Sequence, residues 1–133
     1  MDFRYLDKYQ PQLLAILRIV AGLLFLEHGT SKFFSLPVPF PMHPLPTLLV
    51  AAGVIELIAG ALITIGLFTR MAAFIASGEM AVGYWMMHFP KSPWPVANQG
   101  EAAILFSFVF LYICAAGPGA WSADHARMRA PAP

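Results

Sequence analysis

Residues 18–34 read Arg-Ile-Val-Ala-Gly-Leu-Leu-Phe-Leu-Glu-His-Gly-Thr-Ser-Lys-Phe-Phe, the second half of an apolar run long enough to cross a bilayer. Yet the run carries Arg18, Glu27, His28 and Lys32. An ionisable group at bilayer depth costs roughly 2.5–3.5 kcal/mol on insertion scales. A chain tolerates that where the groups reach water, pair with one another or serve an internal site. Three further apolar segments follow, each with one glutamate: Glu56, Glu79 and Glu101. The constraint points to a fold that gathers these groups.

Hydrophobic residues make up 59% of the 133, against 11% charged. The apolar blocks approach the roughly 20 helical residues that a hydrocarbon core requires. They lack the polar stripe that each helix of a soluble α domain would show. A net charge of +1 without a basic patch excludes nucleic acid as a partner. Cys114 is the single cysteine, so neither an internal disulfide nor dithiol chemistry is open to the chain. The mixed leader with Asp2, Arg4, Asp7 and Lys8, ahead of so long and charged a run, argues against a cleavable signal peptide.

These features predict one all-α domain over residues 1–133, a four-helix transmembrane bundle of antiparallel up-down topology. Pro11 opens the first helix, expected over residues 12–34. Five prolines, from Pro37 to Pro46, then make a stiff extended loop. The second helix is expected over 46–68, with Gly53, Glu56 and Gly60 on one face. The short link at Thr69 and Arg70 turns the chain back into a third helix over 70–89, where Ala72, Ala76, Glu79, Gly83 and Met86 share a face. A loop from Pro90 to Pro95 precedes a fourth helix over 97–116, stopped by Gly117-Pro118-Gly119. Its inward line is expected to be Asn98 or Glu101, then Leu105, Phe108 and Tyr112. The tail, 117–133, reads as polar, with Trp121 as an interfacial anchor.

Arg4, Lys8, Arg70, Arg127 and Arg129 fall on the side of both termini, which the positive-inside rule places in the cytoplasm. At about 1.5 Å per residue, Glu27 and His28 lie about 10 Å below the outer end of the first helix. Glu56 and Glu79 lie about 15 Å deep and Glu101 about 6 Å, so the acids converge on an outward-opening cavity. Glu27 points almost opposite Arg18 on the helical wheel, toward a second neighbour, another subunit or another part of the cavity.

Several stretches together resemble the DoxX family of small bacterial membrane proteins. They are residues 17–34; Ile55-Glu56-Leu57 with Gly60; Gly66-Leu67-Phe68-Thr69-Arg70; Gly78-Glu79-Met80; Asn98-Gln99-Gly100-Glu101; and Gly117-Pro118-Gly119-Ala120-Trp121-Ser122-Ala123-Asp124. Gln99 departs from the pattern where a second glycine is common, and Ala123 where a leucine is. The resemblance spans nearly the whole chain. It implies a multi-pass protein of the bacterial inner membrane with a tie to respiratory or sulfur redox chemistry. Relatives are associated with a terminal quinol oxidase, with thiosulfate:quinone oxidoreductases, and with a membrane complex serving thiol and oxidative-stress defence. No catalytic residue transfers with it.

The simplest expectation for Arg18 and Lys32 is that each reaches toward the nearer interface. Lys32 could equally balance one of the acids. Glu56 and Glu79 cannot reach water from mid-helix, so they either clamp the second helix to the third or serve a site. His28, between Glu27 and Lys32, is a candidate to line that site. Glu101 suits the first turn of a helix, where a carboxylate meets free N–H groups. Trp85 and His88, with Met86, Met87 and Trp94, form a rim that fits an interfacial belt or a flat apolar ring. No glutamate has a histidine three residues on, which argues against a di-iron bundle, and zinc-ligand spacing is lacking.

The candidate ligand-binding or proton-exchange residues are therefore Glu27, His28, Lys32, Glu56, Glu79, Trp85, His88 and Glu101. The reading is a redox-associated subunit binding a quinone or similar lipid-soluble molecule. Its chain has no electron carrier, so turnover would require a cofactor or partner subunit. The partners this reading names are the bilayer, a redox subunit and further copies of the chain. The alternatives are a small proton-coupled transporter and a non-catalytic assembly subunit.

Overall fold

A computed structural model describes residues 2–129 and 131, and every regular element among them is helical. A 3-10 turn, Arg4–Tyr9, runs directly into α1, Gln10–Phe34. Then come α2, Thr47–Ile65; α3, Thr69–Gly83; a short α4, Pro95–Asn98; α5, Glu101–Ala116; and α6, Ala123–Arg129. The run Arg4–Phe34 and α2 are long and apolar enough to cross a membrane, while α5 is apolar but shorter. Thus α1 starts two residues earlier than expected, and α2 stops at Ile65 rather than 68.

The turn after α2 has a local cause. Gly66 takes the left-handed conformation, φ 74°, and its N–H bonds back to Leu62 and Ile63. Only glycine enters that region freely, so the helix ends there and the chain reverses within three residues. Helix α1 lies against α2, α2 against α3, and α3 against α5. At the first of these contacts a Cβ on Gly22 would lie 2.6 Å from the Thr64 Oγ1 and 2.9 Å from the Thr64 nitrogen. The two backbones therefore meet where a side chain is missing, the packing that membrane helices favour.

The third and fourth segments are less regular than expected. Helix α3 loosens into a π-helical turn at Tyr84–His88 and tightens into a 3-10 turn at Phe89–Lys91. Before α5, Gln99 adopts φ 60° and separates α4 from α5. Asn98, fully buried, organises this break. Its Nδ2 donates to the Ser92 carbonyl at 2.9 Å and the Tyr84 hydroxyl at 3.2 Å, while its Oδ1 accepts from the Gly100 N–H at 2.8 Å.

The core centres on Phe25, Ile63, Phe110 and Ile113, all fully buried. Phe25 meets Phe110 edge-on at 5.0 Å between ring centres, and Phe106 stacks on Phe110 at 5.6 Å. The inward line expected for α5 is therefore corrected: Leu105, Phe108 and Tyr112 are exposed, and Ala103, Phe106, Phe110 and Ile113 face the interior. An almost uniformly apolar helix has no polar stripe to mark its outer face. Between α3 and α5, Ser77 and Ser107 each donate to the other's carbonyl, at 2.7 and 3.0 Å.

The segment after α5 ties several helix ends together. Arg18 is fully buried, and all five of its N–H groups are used. Nε donates to Pro118, Nη1 to Ile63 and Thr64, and Nη2 to Ala120 and Trp121, each to a backbone carbonyl at 2.7–3.2 Å. The expectation that Arg18 reaches toward an interface is overturned, because these acceptors come to it. Asp124 accepts from the N–H groups of Phe68 and Thr69, both at 2.9 Å, and so caps the start of α3 from 55 residues away. Partial burial pushes the Asp124 carboxyl up. Those two N–H groups, with Arg127 nearby, outweigh burial and hold it below its ordinary value. Trp121 is exposed, beside the buried Ser122.

Candidate functional site

At the other end of α1 the buried face closes with Lys32, one turn beyond Gly29. Its ammonium donates to both carboxylate oxygens of Glu56 on α2, at 2.9 and 2.8 Å, and both side chains are almost wholly buried. A third contact runs to the His28 carbonyl at 3.5 Å. The ammonium also lies 4.8 Å from the ring centre of Phe40, a cation–π distance. Phe40 sits in the proline-rich loop after α1, which thus folds back over the ion pair. Lys32 does not reach toward the interface, and Glu56 clamps α2 to α1, not to α3.

The pair lines a partly open cavity of about 710 Å³, bounded by α2, α3, the π turn and the proline-rich loop. That volume falls within the range of small-molecule sites. Most of its wall is apolar, with Ile55, Phe74, Met80, Met86 and Met87 among the contributors. Glu79 faces it from α3, and Glu79 Oε2 is buried with no hydrogen-bond partner among the described residues. His88 lines it from the π turn, with Nδ1 at 3.0 Å from the Asn98 carbonyl and its ring stacked on Tyr84. A carbonyl only accepts, so Nδ1 carries the proton. His28 completes this set, its ring set edge-on against Phe106 at 6.0 Å.

Of the eight candidates, the structure brings His28, Lys32, Glu56, Glu79 and His88 to this one cavity. Glu27, Trp85 and Glu101 do not line it, and all three are exposed on the chain's surface. Glu27 lies on the far side of α1, Trp85 packs on Phe89 at 4.8 Å, and Glu101 sits in the first turn of α5. Sequence reasoning missed Phe40, whose setting between Pro39 and Pro41 was the available signal. Among the described residues no three His, Cys, Asp or Glu side chains are grouped to hold a metal ion.

Residues 13–89 match the family model of DoxX, which takes in α1, α2, α3 and the π turn that frame the cavity. The chain belongs to the DoxX family. The family match, together with two helices of spanning length, makes it a membrane protein. A relative from Haemophilus influenzae, described as an uncharacterized protein, is 45% identical over 132 residues, covering 90% of this chain and 94% of its own length. An uncharacterized membrane protein of Mycobacterium tuberculosis is 25% identical over 138 residues, covering 91% of this chain and 85% of its own. No solved structure matches this DoxX protein.

Proposed function

We propose that this DoxX protein is a four-span subunit of the inner membrane whose cavity binds a lipid-soluble molecule with a polar head, of the quinone type, in association with a redox partner. The observation that carries the reading is the Glu79 Oε2, buried and unpartnered in a largely apolar wall beside the Lys32–Glu56 pair. Buried polar atoms in native proteins almost always find a partner, so an exception in a cavity wall marks a place where a ligand atom binds. Protonated, Glu79 donates to a ring carbonyl; ionised, it accepts from a ring hydroxyl. The Met and aromatic side chains suit a flat apolar ring.

Four spans follow if the helical run 69–91 and the run 95–116 cross as α1 and α2 do. An even number of crossings then leaves both termini on the arginine-rich, cytoplasmic side and the cavity beneath the outer loops. The supporting length is in the turns that extend α3 to Lys91.

The test is binding of ubiquinone and menaquinone to the purified chain reconstituted in lipid. Saturable binding that weakens at least tenfold in Glu79→Gln is the expected result. Binding that is absent, or the same in Glu56→Gln and Glu79→Gln as in the parent, overturns the reading. Proton-dependent flux in the same vesicles without quinone binding would favour a transporter instead.

A further inference from the structure

Helices α2 and α3 meet near their shared turn in one buried cluster that includes Ala59 and Ile63 of the first and Ala72 and Ala76 of the second. Farther from the turn the cavity parts them. The resulting cleft is edged by Leu48 and Ala51 of α2 and by Phe74, Ile75, Gly78 and Val82 of α3, all of them exposed. At about 1.5 Å per residue the α3 edge lies about 8–20 Å from the start of that helix, a depth of hydrocarbon and not of headgroups. Toward the loops the cavity meets Phe40, which lies on Lys32, and His88, which is tied to the Asn98 carbonyl.

The glycines give an independent indication. Of the chain's ten, eight are accounted for by the fold, since a Cβ on any of them would meet a neighbouring atom at 3.0 Å or less. A Cβ on Gly78 or Gly83 would meet nothing within 4 Å among the described residues, and both glycines line the cavity. Both are helical, a conformation open to any residue, and glycine weakens a helix interior relative to alanine. The chain's own packing therefore does not call for these two missing side chains; a body lying in the cleft does. Gly78 adjoins Glu79 in sequence and Gly83 stands one turn beyond it, so both gaps flank the buried Oε2 that lacks a partner among the described residues.

We propose that the cavity opens sideways to the bilayer between α2 and α3 and that its ligand is a tailed lipid, with the polar head at Glu79 and the hydrocarbon chain pressed against Gly78 and Gly83 on its way out through the cleft. The proposal rests on the reading of the cavity as a site for a lipid-soluble molecule with a polar head. It adds that the chain is recognised along with the head. A polar foot whose apolar walls lead into hydrocarbon complements an amphiphile. A water-soluble solute would leave those walls unmatched and would have to cross lipid to arrive. Within the bilayer a hydrocarbon chain gains no hydrophobic burial by entering protein, so its recognition depends on close packing, which small residues permit.

The test uses the full-length chain in lipid vesicles, with affinities expressed per membrane concentration so that partitioning cancels. The probes are the bare ubiquinone ring and the same ring carrying a short isoprenoid chain. The tailed quinone should bind about tenfold more tightly than the bare ring, and Gly78→Leu should remove that advantage while changing the bare ring less than about twofold. Glu79→Gln, in contrast, should weaken both. Gly78→Ala and Gly83→Ala should raise the detergent melting temperature, because the added carbon displaces nothing in the chain. A nitroxide on Gly83→Cys, in a Cys114→Ser background, should collide with oxygen dissolved in the lipid and be shielded from a water-soluble nickel chelate, with or without quinone. Equal affinity for the two quinones, undiminished binding of the tailed one by Gly78→Leu, a fall in melting temperature in the alanine variants or a nitroxide open to the chelate overturns the lateral cleft and leaves a quinone site standing. Binding of neither quinone overturns the reading on which the proposal rests, and the tailed ligand with it.

Discussion

Arg18 and Lys32 are buried on one face of α1, about 21 Å apart along its axis, and they are satisfied in opposite ways. Arg18 meets five neutral carbonyls, two of them at the C-terminal end of α2, where the helix dipole presents partial negative charge. Lys32 meets one carboxylate and the face of a ring. The first arrangement spends every donor on the backbone and offers nothing to a solute. The second lies in a cavity wall, beside another acid with a buried oxygen that has no partner among the described residues. One buried cation joins chain segments; the other conditions a site.

The sharpest way to break that contrast is at Arg18. Arg18→Leu takes the guanidinium donors from buried and part-buried carbonyls at three places, though Ile63 keeps the Gly66 N–H, and each loss costs on the order of 1–3 kcal/mol. A loss of roughly 5 kcal/mol is expected, read as failure to accumulate in the membrane or a collapse of the detergent melting temperature. Arg18→Lys should recover only part of it, because an ammonium lacks the flat five-donor fork.

Lys32 sharpens the comparison from the other side. Lys32→Met alone strands the buried Glu56 charge and should cost roughly 3–5 kcal/mol. Adding Glu56→Met should restore most of the stability while quinone binding stays lost, as a pair replaced by apolar side chains of similar volume is often neutral or better. No second substitution of this kind is available to rescue Arg18→Leu, since its partners are main-chain atoms.

A smaller effect is expected at the α3 cap. Asp124→Ala should cost about 1 kcal/mol, as other lost caps do. Because the folded carboxyl titrates below its ordinary value, its contribution is complete above the unfolded value of about 3.9 and is lost as pH falls through the folded one. Melting temperature against pH should therefore drop at the acid end in the parent and less steeply in Asp124→Ala. Smallest of all, Glu79→Gln should shift stability by less than about 1 kcal/mol, since it gives up no hydrogen bond, while binding falls. A large loss of stability there would mean that Glu79 holds the fold and the contrast between the two ends fails.

Sequence alone carried the first half of the fold well. Pro11, the proline cluster and the short link at Thr69 delimit α1 and α2 to within a few residues, and the Gly53, Glu56 and Gly60 face is buried as its spacing implies. The face of α5 was not legible, because Leu105, Phe108 and Tyr112 are as apolar as Phe106, Phe110 and Ile113. The break at Gln99 and the π turn have no strong local signal. Lys32 was legible as a candidate counter-ion, but not which acid it would choose, since that depends on how closely glycines let α1 and α2 approach. Arg18 was misread for a different reason. Its acceptors are carbonyls of Pro118, Ala120 and Trp121, about 100 residues downstream, and any residue supplies a carbonyl.

Those distant acceptors bear on how the chain is made. Arg18 enters the membrane early in synthesis, yet three of its five bonds wait for a segment translated a hundred residues later. The cap on α3 arrives later still, with Asp124. Earlier helices can insert in turn, but the guanidinium stays under-coordinated until residues 118–124 have left the ribosome. Assembly of the first helix is thus completed by the segment that follows α5, whose carbonyls lock a guanidinium inserted long before them.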